Sequence, residues 1–270
     1  LKGLTTEIFN PRKQYQFDQF YGNDDQVTRL RLLLVNPYKP LIVISGPGGC
    51  GVTHLLNSAG NFFEERNKIA KYITAEWFCE IIRKMDSKSI QNEFLNSLID
   101  CDLLCIDNIQ YFYRRKKEYQ NFLLDIVVRM NSQGKKIILG CSKEQKDITR
   151  SKKIKWPDNF VRIELQTLAG FTVFRLLKRL CTPEDGIPDS LLFLISGFNG
   201  SIEQYINCLI SIRFRTRLQN LAIDKADPKQ LEELLNLKSY FPEQQLRRSF
   251  IQNSLPFIES YKKLMENSTS

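Results

Sequence analysis

The stretch that most constrains this chain is Gly46-Pro47-Gly48-Gly49-Cys50-Gly51-Val52-Thr53. It follows the apolar run Leu41–Ser45 and precedes His54-Leu55-Leu56, where a helical pattern begins. A buried strand that turns through glycines into a helix is the setting of a phosphate-binding P-loop. The glycines let backbone N–H groups turn inward around phosphate oxygens, and the helix N-terminus adds its partial positive charge. Thr53 stands where a hydroxyl ligands Mg²⁺. The pattern GxxxxGK[ST] fails at one position, because Val52 replaces the lysine that puts a point charge on the β- and γ-phosphates. Three readings of the loop stay open: weak nucleotide binding through backbone donors, a glycine-rich turn that binds nothing, and competent hydrolysis.

A second half-site would be an acid at the end of a buried strand. Leu103-Leu104-Cys105-Ile106-Asp107 has that form. Asp107 is placed to hold Mg²⁺ directly or through water. An ATPase usually sets another carboxylate beside it, but the neighbour is Asn108, an amide that cannot act as a base. Two charges needed for phosphoryl transfer are thus missing at two independent positions.

Short apolar runs alternate with longer helical patterns, which predicts a three-layer α/β domain. The expected strands are Leu41–Ser45, Ile69–Thr74, Leu103–Asp107, Lys136–Cys141 and Val161–Leu165. From about residue 167 the pattern becomes helical only, with candidates at Phe171–Leu180, Ser190–Ser196, Ser201–Arg213 and Pro228–Leu235. The expected organisation is an α/β core over 1–166, a small helical lid over 167–237, and a helical extension or tail over 238–270. No apolar run is long enough to span a bilayer, and LKGLTTEIFN at the start carries no apolar signal core. The chain therefore reads as cytoplasmic, with no membrane partner.

Side-chain chemistry narrows the function classes further. A single histidine, His54, excludes multi-histidine metal sites, and it reads as part of the helix start rather than as a base. Seven cysteines without CxxC pairs make a poor disulfide or zinc framework. The 39 basic and 30 acidic residues leave a net charge of +9, which favours anionic partners. The excess clusters at Arg114–Lys117, Lys143–Lys155, Arg175–Arg179 and Arg213–Arg217. A nucleic-acid surface, an acidic-protein surface and a solvated face all fit those clusters. Tyr111, Phe112 and Tyr113 beside Arg114 fit either single-strand stacking or a loop capped by buried aromatics. Trp77 and Phe78 read as core, with nucleobase stacking as the alternative.

At this point the motifs carry a family likeness. Tyr15–Asn23 resembles a YxFDxFxxGxxN opening, and GCGVTHLL over Gly49–Leu56 resembles GxGKTHLL. Tyr72–Phe78 is similar to YVTSExF, and LLCIDNIQYF over Leu103–Phe112 to LLIDDIQFL. The segment from Gly134 to Ile148, GKKIILGCSKEQKDI, lies over GKQIVLTSDRPPKEI. The chain so resembles the AAA+ domains of the bacterial replication initiator DnaA and of its regulator relative Hda, from about residue 11 to residue 236.

The resemblance implies a five-stranded parallel sheet, a helical lid, a nucleotide site and head-to-tail self-association. It implies cofactor-binding residues Gly46, Pro47, Gly48, Gly49, Cys50, Gly51, Val52, Thr53, His54, Asp107, Asn108 and Ser142, with Thr53 and Asp107 on the metal. Several hydrolytic positions depart from the pattern: Val52 for the lysine, Asn108 for the second acid, Ser142 for the acidic sensor and Ser201 for the lid arginine. No RxRF segment precedes the fifth strand, and Arg150 is the stand-in. The expected function is a DnaA-like regulator or assembly factor of replication initiation, holding ATP or ADP with Mg²⁺ weakly and lacking catalytic residues. Its expected partner is a replication initiator or helicase-type protein, with single-stranded DNA as a further candidate. Two alternatives remain: a slow ATPase of the initiator and helicase-loader group, with Lys39 or Lys135 replacing the missing charge, and a nucleotide-free nucleic-acid-binding module.

Overall fold

The computed structural model describes residues 9–38, 41–113, 117–141, 160–168, 170–198, 200–219 and 240, and for 113 and 215–219 the backbone alone. The chain divides into two compact units, Leu1–Gln166 and Thr167–Ser270. In the first unit the elements are α1 (Asp24–Val35), β1 (Leu41–Ser45), α2 (Val52–Glu64), β2 (Ala70–Thr74), α3 (Ala75–Arg83) and α4 (Lys88–Ile99). They continue with β3 (Leu103–Asp107), α5 (Gln110–Tyr113), α6 (Lys117–Ser132), β4 (Lys136–Cys141) and β5 (Val161–Glu164).

The five strands form one sheet in the order β2-β3-β4-β1-β5, with every pairing parallel. The α/β class, the five strands and the parallel arrangement expected from the sequence are all present. β1, β3 and β4 are buried at every position, which is why they read as continuous apolar runs. Successive residues in them serve opposite layers. Leu41, Val43, Leu104, Ile106, Ile137 and Leu139 pack with Phe78, Leu95, Leu98, Leu123, Ile126 and Val127 from α3, α4 and α6. Ile42, Ile44, Leu103, Cys105 and Ile138 pack with Leu30, Leu34, Leu55, Leu56 and Phe63 from α1 and α2.

Two strand limits and one core assignment differ from expectation. β2 begins at Ala70, because Ile69 is exposed and its N–H is taken by Asp102 Oδ2 at 2.8 Å. β5 ends at Glu164, although Leu165 N–H still bonds Ser45 O at 2.7 Å. Trp77 is 54% exposed rather than core. α3 points Phe78, Cys79 and Ile82 inward, and Trp77, one residue off that stripe, faces the opposite side. Phe112 is fully buried and packs edge-on to Phe78, so that part of the aromatic run is a cap of the core.

The second unit contains α7 (Phe171–Leu180), α8 (Asp189–Ser196) and α9 (Ile202–Gln219). Val173, Phe174, Leu176 and Leu177 on α7 and Leu191, Leu192 and Ile195 on α8 are buried. A buried Asp185 joins these helices: it accepts from the Thr182 N–H at 2.8 Å and from Arg213 at 2.7 Å. Burial pushes its carboxyl up, but the Thr182 and Arg213 contacts outweigh that and hold it below the ordinary range. The expected helix Pro228–Leu235 lies outside the described residues, as does the tail after 238 apart from Tyr240. Among the described residues no helix is long and apolar enough to cross a membrane.

Candidate nucleotide site

Parallel order brings the loop after β1 and the acid ending β3 to the same C-terminal end of the strands, with β4 between them. Ser45 pairs with Cys141, and Ile106 with Leu139, so Gly140 lies between the loop strand and Asp107. The loop turns through positive φ at Gly49 (76°) and Gly51 (100°), the latter just before α2, and glycine adopts such angles without strain. Among the described residues the N–H groups of Gly48, Gly49, Gly51 and Thr53 have no hydrogen-bond partner. A β-carbon at Gly48 would meet nothing within 4 Å. These donors at a helix N-terminus, with open space beside Gly48, fit a diphosphate. Pro47 closes a tight turn by accepting the Cys50 N–H at 3.2 Å. The Cys50 side chain folds back under the loop, where a β-carbon on Gly46 would lie 2.5 Å from its Sγ. Burial pushes that thiol up to about 11, which keeps it protonated and suits a packing role.

The metal-type pair is assembled. Thr53 Oγ1 donates to Asp107 Oδ2 at 2.6 Å, which spends the hydroxyl proton inward and leaves its lone pairs for a cation. Tyr72 OH donates to the same carboxylate oxygen at 2.9 Å, and the Asn108 N–H donates to Oδ1 at 2.8 Å. Asp107 is 2% exposed, and these three neutral donors hold it without a cation. Burial and the Asp107 charge push the Tyr72 phenol well up, so Tyr72 stays a donor. Tyr72 was not among the residues expected here; its place at the third position of β2, on the loop-helix face of the sheet, needed strand order to find. Thr53 and Asp107 are the residues that would hold a Mg²⁺ ion, which would supply positive charge that the loop's side chains lack.

Asn108 has φ 56°, a left-handed conformation that asparagine tolerates. Its Nδ2 lies 3.5 Å from Glu76 Oε2, and its Oδ1 accepts from Gln110 at 3.3 Å. Val52, 5% exposed, packs into the apolar layer under α2. Lys135 donates to Ile99 O at 3.0 Å and precedes β4, so it lies at the N-terminal end of the parallel strands while the loop leaves the C-terminal end of β1, too far to replace the lysine. Ser142, Arg150 and Lys39 lie outside the described residues. Ser201 is engaged in capping α9: its N–H donates to Gln204 Oε1 at 2.8 Å and its Oγ accepts the Gln204 N–H at 3.2 Å.

His54 is engaged at the start of α2. Its Nε2 sits 2.9 Å from Gln16 O, and its ring packs between Tyr15 and Phe20. Burial pushes its pKa down, partly offset by the Gln16 carbonyl. His54, Asn57 and Asn61 share one face of α2 and grip the opening segment. Asn57 Oδ1 accepts the Arg12 N–H at 2.8 Å, and Asn61 Nδ2 donates to Arg12 O and Tyr15 O at 2.9 and 2.7 Å. The polar spacing 54/57/61 is the sequence signal that could have found this clasp. Asn23 completes it through a reciprocal pair with Gln166, at 3.0 and 2.8 Å.

Gly60 lets the segment pass, because a β-carbon there would lie 2.3 Å from Pro11 Cγ. Gly60→Ala should therefore destabilise the protein by about 1–2 kcal/mol, although alanine favours a helix by up to ~1 kcal/mol. Urea unfolding measures it, and an unchanged or higher midpoint would show that the strap moves aside freely.

Comparison with known proteins agrees with this geometry. The family described as the bacterial DnaA ATPase domain matches residues 12–155. The chromosomal replication initiator protein DnaA of Helicobacter hepaticus is 31% identical over 140 residues, 50% of this chain and 30% of that protein. The chain thus spans about a third of the length of that relative. In three dimensions it is similar to domain III of the Thermotoga maritima initiator DnaA, with a TM-score of 0.68 at 20% identity, covering 85% of this chain and 98% of that one. It is also similar to a DnaA solved with AMPPCP and single-stranded DNA, with a TM-score of 0.65 at 21% identity, covering 84% and 69%. These two likenesses carry the fold. The family match spans the strap, the glycine loop and both metal-type residues, and by it the chain belongs to the bacterial DnaA ATPase-domain family.

Proposed function

We propose that this chain is a cytoplasmic DnaA-type module of replication initiation that binds adenine nucleotide weakly and does not turn it over. It acts as a regulator or assembly factor, docking on an initiator or helicase-type partner. The observation that carries this reading is the split state of the site. The backbone cradle and the Thr53–Asp107 pair are intact, while Val52 is buried and Asn108 offers an amide. ATP or ADP would be held by the loop N–H groups, and Mg²⁺ by Thr53 and Asp107. The second unit serves as the helical lid, continuing to about residue 237.

A DnaA relative has been solved with AMPPCP and single-stranded DNA, which supports both ligand classes here. Trp77 is exposed on α3, nearly two turns before Arg83 and Lys84, which share Glu80, and its free ring offers a stacking face of the kind sequence-tolerant single-strand binding uses. Isothermal titration with ATP and ADP in Mg²⁺ tests the nucleotide reading. Weak saturable binding of both, lost in Thr53→Ala, is expected; no binding of either would sink it.

A further inference from the structure

The position that separates this loop from a full phosphate cradle lies against a second unusual position. Gly140 is the fifth residue of β4, where the family segment quoted above has threonine. Its φ is not positive, so the backbone does not require glycine there. Space does: a β-carbon at 140 would lie 2.9 Å from Val52 Cγ1, 2.9 Å from Leu56 Cδ2 and 2.8 Å from Asp107 Oδ1. All three distances are shorter than real β-carbons show.

We infer that Val52 and Gly140 act as one unit that decides whether the side chain at 52 reaches phosphate. The glycine on β4 opens a hollow over the C-terminal end of the strands. The valine fills it, turning position 52 inward and away from the loop's mouth. Losing the lysine is therefore one half of a packing exchange, whose other half is on a strand far away in sequence. The consequence, which rests on the nucleotide reading above, concerns ligand class. The site recognises the diphosphate through fixed backbone donors and makes little distinction between a nucleoside diphosphate and a triphosphate. A cation placed at 52 would still find the inward hollow open, and its stem would lie there in part. A β-branched residue at 140 closes the hollow and drives that stem outward.

Four proteins test this: wild type, Val52→Lys, Gly140→Thr and the double variant. Each is titrated with ATP and ADP, and each is melted without nucleotide. The wild type should bind ATP and ADP within about threefold of each other, and Val52→Lys should shift that ratio only a few-fold toward ATP. The double variant should prefer ATP by at least about tenfold, beyond the product of the single effects. Each single variant should lower Tm by roughly 5 °C, and the double should lose less than the sum. Additive Tm losses together with additive binding effects overturn the pairing and leave the nucleotide reading standing. No nucleotide bound by any of the four overturns that reading and this inference with it.

Discussion

Phosphate release from ATP by the purified chain should stay at the buffer background, and Thr53→Ala should leave it there. Transition-state charge in phosphoryl transfer is neutralised by a loop cation, a metal and a lid or finger arginine, while a carboxylate orients water. Val52 puts a buried isopropyl group where the first belongs. Asn108 places an amide beside Asp107, and Ser201 is committed to capping α9. Each missing group costs on the order of 10²-fold or more, so the first two alone remove roughly 10⁴-fold if they act independently. Glu76 on α3 lies 3.5 Å from the Asn108 amide nitrogen through its Oε2, and contacts that amide. Steady release above background that Thr53→Ala abolishes would refute the expectation.

Removing the Asp107 side chain should be among the most destabilising single changes at this end of the strands. Asp107→Ala leaves the buried Tyr72 hydroxyl and the Asn108 N–H without acceptors, and frees the Thr53 hydroxyl. At about 1–3 kcal/mol for each buried orphan, the expected loss is roughly 3 kcal/mol. Asp107→Asn keeps one acceptor oxygen and should cost about half as much. Tyr72→Phe removes one donor and should cost about 1 kcal/mol. Denaturant unfolding of the three variants reads the order directly. If Tyr72→Phe proved as damaging as Asp107→Ala, the aromatic ring, and not the carboxylate, would be the keystone of this cluster.

The order of those three effects also marks what local sequence can and cannot carry. The acid at the end of LLCID, the threonine after the glycines and the apolar strands were legible because each depends on neighbours within a few residues. Burial on both faces forces a continuous apolar run, and a phosphate loop forces glycines at fixed offsets. Trp77 misled because a large aromatic is ordinarily buried, and only the packed face of α3 shows which way it points. α1 and α4 were not among the expected helices. Their buried positions are few, Leu30 and Leu34 in one and Phe94, Leu95, Leu98 and Ile99 in the other, so the periodic signal in each is short.

Sequence by itself determined the α/β class, the loop's place between strand and helix, the loss of the lysine and second acid, and the family likeness. Each of these is written in residue types at short spacing. Tertiary structure alone decided that Tyr72 shares the Asp107 carboxylate, that Asn57, Asn61 and His54 clasp the opening strap, and that Lys135 stands at the end of the strands away from the loop. It also decided that Val52 fills the hollow left by Gly140. Those facts join residues some 30 to 90 positions apart; the order of strands joins Tyr72 to Asp107 and Val52 to Gly140, and the packing of α2 on the opening segment makes the clasp. A parallel strand has to be reached by a crossover, so the neighbours it acquires are set by topology and not by nearness in the chain.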